Sequence, residues 1–187
     1  MPNHSEIKNL LKKREIGKKI VVCGWVKTFR SNRFINLNDG SCIEDIQCVI
    51  DLDSFNKETL SKITTGSSIS VKGQIVESQG KGQKIEIHVD NLEILGLSHP
   101  DNYPIQPKKH SFEFLRENAH LRARTKTISS VFRIRSKISY AIHKFFNDNN
   151  FYYIHTPIVT GSDAEGAGEM FKVTTLDLKK IPQTENN

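Results

Sequence analysis

Between residues 20 and 95 apolar positions come in five short runs separated by turn residues, the pattern of strands that lay one face on a core. The first run, Ile20-Val21-Val22-Cys23-Gly24-Trp25-Val26, is apolar on both faces, and Gly24 suits a strongly bent strand. The second, Arg33-Phe34-Ile35-Asn36-Leu37, closes on the turn Asn38-Asp39-Gly40-Ser41. Ile46-Gln47-Cys48-Val49-Ile50 is the third, and a short helix near Asp53 to Ile63 follows it, with Asp53 or Ser54 as N-cap. Strands near Ser67 to Glu77 and Lys84 to Leu95 flank the hairpin loop Ser78-Gln79-Gly80-Lys81-Gly82-Gln83.

Three strands, a helix and a hairpin is the order of the OB-fold, a five-stranded barrel whose open face binds oligonucleotides and oligosaccharides. Past residue 95 the pattern changes. The prolines of His99-Pro100, Tyr103-Pro104 and Gln106-Pro107 force the residues before them out of helical geometry, which predicts a linker over 99–125. Val131, Ile134, Ile138, Ile142 and Phe145 then recur at intervals of three and four, one apolar face of a helix from Lys126 to Asp148 that Asn149-Asn150 can terminate. The aromatic and β-branched run Phe151 to Val159 predicts a strand. The expected organisation is α+β, with a barrel domain over 1–98, the linker, and a second domain that opens over 126–187.

Strand parity assigns the barrel's faces. If Ile35 and Leu37 point inward, Phe34 and Asn36 point outward as an exposed aromatic and an amide. By the same rule Ile46, Cys48 and Ile50 leave Gln47 outside, and Ile85, Ile87 and Val89 leave Lys84, Glu86 and His88 outside. Such a face can stack an unpaired base on Phe34 and hydrogen-bond base edges through Gln47 and Glu86.

Charge adds a partner class. The net charge of +6 favours an anionic ligand. Residues 108 to 144 carry ten Lys and Arg against only Glu113 and Glu117, whereas residues 1 to 98 carry fourteen against twelve. A run of this kind suits either a solvated helix face or nucleic-acid contact. Cys23, Cys42 and Cys48 form neither an even disulfide set nor a CxxC pair, and the scattered His residues lack ligand spacing, so no metal site is expected. The start Met-Pro-Asn-His-Ser lacks the layout of a signal peptide, and no apolar stretch approaches the roughly 20 residues that span a bilayer, so the expected location is cytoplasmic, with no membrane partner.

Three segments carry a family resemblance. Cys23-Gly24-Trp25-Val26, Arg33 to Gly40 and Ile46 to Ile50 resemble the anticodon-binding domain of the aspartyl, asparaginyl and lysyl-tRNA synthetases. Asn150 to Val159 resembles motif 1 of class II synthetases, a helix and strand that lie against the other subunit of a homodimer, with Asn150 where a glycine is usual. Ser162-Asp163-Ala164-Glu165-Gly166-Ala167-Gly168-Glu169-Met170-Phe171 is similar to the substrate-side loop of the asparaginyl enzymes, whereas aspartyl enzymes more often read Pro-Glu-Gly-Ala there. The chain is thereby identified with the N-terminal portion of the asparaginyl-tRNA synthetase family.

That resemblance implies a set of roles. Phe34 would stack on the central uridine of the anticodon, and Arg30, Gln47 and Glu86 would contact anticodon bases. Glu165 would bind the ammonium group of the amino acid, with Ser162, Asp163 and Glu169 supporting the loop or touching substrate. The complete enzyme would condense asparagine with ATP, accompanied by magnesium, and pass the asparaginyl group to tRNA(Asn). No motif 2 or motif 3 precedes Asn187, so the 187-residue chain by itself is expected to be inactive, to carry no catalytic residue and to need no cofactor. Arg122, Arg124 and Lys126, between barrel and catalytic domain, are placed on the tRNA backbone. An aspartyl enzyme, a synthetase paralogue acting on a small molecule and a free-standing OB-fold module are the alternatives.

Overall fold

The computed structural model describes residues 4–80, 82–161, 166, 171 and 173–180. The chain divides into two compact units, Met1–Tyr140 and Ala141–Asn187. In the first, five strands close a barrel in the order β1-β2-β3-β5-β4: β1 (Lys19–Arg30), β2 (Phe34–Asn38), β3 (Ile46–Val49), β4 (Ser68–Glu77) and β5 (Ile85–Gly96). All neighbours are antiparallel except β3 and β5, which run parallel. The expected barrel is present, and parity holds inside it: Ile35, Leu37, Cys48, Ile50 and Ile87 are wholly buried, and Ile46, Ile85 and Val89 nearly so. Each such aliphatic side chain removed from water stabilises the fold by about 1.5–3 kcal/mol.

The predicted helix between β3 and β4 is shorter and starts later than expected. A single 3-10 turn, Leu52–Ser54, precedes α2 (Lys57–Ser61). The N-cap of α2 is Asn56, whose side chain accepts from the Thr59 amide, and Asp51 caps the 3-10 turn. Asp53 and Ser54 therefore sit inside the turn and cap neither element. Sequence pattern also missed α1 (Ile7–Lys13), which seven residues could not sustain in isolation. It forms because Ile7 and Leu10 enter the core and because the Asp39-Gly40-Ser41 turn accepts its free amides: Ile7 donates to Asp39 Oδ2 at 2.8 Å and Lys8 to Ser41 Oγ at 3.0 Å.

The segment after the barrel is extended through its prolines but not bare. It contains α3 (Phe112–Glu117), capped by Ser111, and it buries Ile105 and Leu115. Thr64 Oγ1 donates to the Ser98 carbonyl, and Tyr103 lies so close to Gly66 that a Cβ there would meet its ring at 2.8 Å. A further 3-10 turn, Arg122–Arg124, leads into α4 (Lys126–Asp148), with the bounds that its apolar period predicts. Thr125 Oγ1 accepts from the Ile128 amide at its start, and Asn150, at φ 67, ends it. Its stripe Val131, Ile134, Ile138, Ile142 and Phe145 is exposed throughout.

In the second unit the rings of Phe146 and Phe151 meet edge to face at 5.4 Å, as do those of His143 and Tyr153 at 4.8 Å. The strand expected over Phe151 to Val159 is absent: residues 151–157 pair with no strand among the described residues. A strand exists only through hydrogen bonds to a neighbour, and β-propensity by itself supplies none.

The barrel has one point of very close approach. At Gly73, beside a register shift in the β4–β5 ladder, a Cβ would lie 2.1 Å from the His88 carbonyl oxygen. Gly73→Ala is expected to destabilise the chain by about 1–3 kcal/mol, the usual cost of overpacking, as a lower urea midpoint with an unchanged m-value.

Candidate nucleic-acid interface

The outward residues of β1, β2, β3 and β5 align in two rows. Thr28 lies opposite Asn36, Asn36 opposite Gln47, and Gln47 beside Glu86. One step along the strands, Arg30 lies opposite Phe34, Phe34 opposite Val49, and Val49 beside His88. The first row is polar; the second places an aromatic between an arginine and an apolar floor. Arg30, Phe34, Gln47 and Glu86, chosen from sequence, thus share one face. The register adds Asn36 and His88, which parity turned outward but could not place beside the others, because pairing between β3 and β5 is invisible in sequence.

Two side chains differ from expectation. Phe34 is only partly exposed, with the Arg33 guanidinium 5.8 Å from its ring centre, so one part of the ring is covered and the remainder is open. The hairpin just before Arg33 turns through Ser31 and Asn32, both left-handed at φ 53 and 51. Glu86 was expected to face solvent and is instead buried. Its Oε2 accepts from Gln47 Nε2 at 3.1 Å, Ser78 Oγ at 3.0 Å and Gln83 Nε2 at 3.2 Å. Gln47 reaches it from β3, and Ser78 and Gln83 belong to the β4–β5 loop, which folds over the carboxylate. His88 Nε2 stands 3.8 Å from the other oxygen. A carboxylate held this way is a fixed acceptor, costing little reorganisation when a base donor arrives.

The basic segment is less open than its composition suggests. Arg124 stacks over Trp25 at 4.1 Å, and Arg122 lies 5.7 Å from the Phe132 ring. Arg124 Nη1 and Arg122 Nε are buried without a hydrogen-bond partner. Lys126 is exposed and 3.5 Å from Asp45 Oδ2. Lys27, which sequence reasoning passed over, is partly buried beneath them and donates to the Arg124 carbonyl. Burial pulls its pKa below the ordinary 10.5; Asp45 opposes that shift, and the neighbouring Arg124 and Lys126 add to it.

Among the described residues no group of three His, Cys, Asp or Glu side chains could hold a metal ion, and no helix is long and apolar enough to cross a membrane. Ser162, Asp163, Glu165 and Glu169 lie outside the described residues, as does Lys81.

Comparison with known proteins assigns this geometry. Residues 20–95 match the family described as the OB-fold nucleic acid binding domain, and residues 111–184 match the class II tRNA synthetases (D, K and N). The asparagine-tRNA ligase of Cytophaga hutchinsonii is 53% identical over 185 residues, which cover 96% of this chain and 40% of the relative. Over nearly its whole length the chain is thus similar to part of the asparagine-tRNA ligases, and it matches two domain models in succession. Another such ligase, from Parabacteroides distasonis, is 52% identical over 97% of this chain and 40% of its own length. This chain thus spans about 40% of the length of the asparagine-tRNA ligases it matches. The asparaginyl-tRNA synthetase of Pyrococcus horikoshii complexed with asparaginyl-adenylate shares the fold, with a TM-score of 0.79 at 23% identity over 93% of this chain and 41% of that one. The Entamoeba histolytica asparaginyl-tRNA synthetase, also in complex with asparaginyl-adenylate, aligns at 0.68 and 25% identity over 78% of this chain and 36% of its own.

The buried acceptor can be tested directly. Glu86→Leu removes the oxygen that accepts from Gln47, Ser78 and Gln83 and leaves those donors unpaired. We expect a loss of about 1–3 kcal/mol in chemical unfolding, more than for Ser78→Ala, which removes one donor only.

Proposed function

We propose that this chain is the anticodon-reading part of an asparagine-tRNA ligase and the opening of its catalytic domain. The observation that carries the proposal is the pair of rows on the barrel's outer face, which set Phe34 between Arg30 and Val49 beside the polar line Asn36, Gln47 and Glu86. An unpaired base is bound by stacking plus edge hydrogen bonds, and this face offers both within two strands' width. Phe34 stacks the central uridine of the anticodon, and Arg30, Gln47 and Glu86 meet base edges. The identity of the relatives supports tRNA(Asn) as the partner.

The complete enzyme activates asparagine with ATP and transfers it to the terminal adenosine of tRNA(Asn). Magnesium accompanies the ATP and shields its phosphates. Glu165 holds the ammonium group of asparagine by a charge-assisted hydrogen bond, with Ser162 and Glu169 in the same loop. Phe151 to Val159 gains its pairing at a homodimer contact, in the cytoplasm, where tRNA is charged. By this reading the domains run 1–98, 99–125 and 126–187, and Arg122, Arg124 and Lys126 lie along the tRNA backbone.

Two measurements test the reading. Phe34→Ala, with its fold checked by circular dichroism, should weaken binding of an anticodon stem-loop with a central uridine by about 1–3 kcal/mol. Unchanged affinity at matched salt would remove Phe34 from the interface. Lys126→Gln should lower the log-log salt slope of full-length tRNA binding by about 0.7–0.9, the signature of one lost phosphate contact, while sequence preference stays put. Superimposable slopes would exclude a backbone contact at Lys126.

A further inference from the structure

Beside the barrel wall, with Thr28 and Asn36 of the polar row in its lining, the first unit holds a cavity of about 880 Å³. Its cations are Lys27, Lys108, Lys109, Arg124 and Lys126; its carboxylates are Asp45 and Glu113. Glu113 is engaged by Arg116 at 3.1 Å, outside the lining. Asp45 is shared: it accepts from Asn38 Nδ2 at 3.0 Å and faces both Lys27 and Lys126. One carboxylate therefore answers a cluster of cations, of which Lys27 is partly buried and Arg124 has a buried, unpartnered Nη1. A desolvated cation with too little counter-charge is costly, and a bound anion relieves that cost. The volume falls within the roughly 300–1,000 Å³ of small-molecule sites.

The depth of Lys27 decides the size of the anion. A nucleic-acid backbone runs along open surface and meets side chains that project from it. A recessed ammonium is reached instead by a terminal phosphate that enters end on. We propose that this cavity binds the phosphate group of a small, non-polymeric anion, seated on Lys27. Lys108, Lys109 and Arg124 complete the cationic lining, and Ile105 and the ring of Tyr103, whose hydroxyl meets Arg124, line the space for the rest of the ligand. Arg124 and Lys126 are shared with the tRNA-backbone reading above, but the ligand requires no RNA, so its binding to the free chain is tested apart from that reading.

The probe is inorganic pyrophosphate, titrated calorimetrically into the 187-residue chain in chloride buffer without RNA. One saturable site is expected. Lys27→Met should weaken it about tenfold or more, the worth of a hydrogen bond to a charged group. Lys27→Arg should retain it, and Lys62→Met, at an exposed lysine outside the lining, should leave it unchanged. Lys27→Met loses the hydrogen bond to the Arg124 carbonyl together with a desolvated charge, so its own melting temperature without pyrophosphate is the baseline, from which pyrophosphate should produce no rise. If Met disturbs the fold, Lys27→Gln carries the same comparison. Binding that does not saturate, or that Lys27→Met leaves intact, overturns the proposal. So does a variant that weakens RNA binding while pyrophosphate fails to bind the parent, since the cations then serve the RNA interface.

Discussion

A closed barrel has a single interior, and in a strand each residue that fills it commits its neighbours to the outside. Everything on the proposed recognition face follows from that alternation. Ile35 and Leu37 cannot leave the core without turning Phe34 and Asn36 into it, and a one-residue slip of β3 would exchange Gln47 for Cys48 at the surface. The apolar residues that stabilise the barrel are thus the same residues that aim the base-reading side chains. Stability and recognition are written in one pattern at alternate positions.

That coupling explains which parts of the fold could be read in advance. Parity needs only neighbouring residues, so Phe34, Gln47 and Glu86 were placed outside from sequence alone. The period of α4 is equally local, and its bounds came out as expected. Burial by other elements is not local. Glu86 turned outward as parity requires, yet Ser78 and Gln83 close over it because the β4–β5 loop folds back, and no local pattern records the path of a loop. The same holds for α1, whose amides are met by a turn 32 and 33 residues away. For Phe151 to Val159 propensity predicts a strand, but propensity supplies no partner, and residues 151–157 pair with no strand among the described residues.

Charge showed the same division. Composition located a basic segment at residues 108 to 144, but not the state of its members. Arg124 lies on Trp25 and Arg122 near Phe132, so the two carry packing as well as charge. An arginine stacked this way has its guanidinium fixed in direction before any ligand arrives. Lys27 belongs by sequence to the first strand and by position to this cationic group, and only the tertiary structure brings the two together.

The parallel pairing of β3 with β5 has a consequence in time. Gln47 and Glu86, which touch at 3.1 Å, are 39 residues apart, with α2 and all of β4 between them. Contacts of such separation form late, after the entropy of closing the intervening loop has been met. A nascent or partly unfolded chain can make the β1–β2 hairpin and present Phe34, but beside it stand only Thr28 and Asn36 of the polar row, without Gln47 and Glu86. Selective reading of a base and completion of the barrel are then one event, and a chain that has not finished folding holds single strands without distinguishing them.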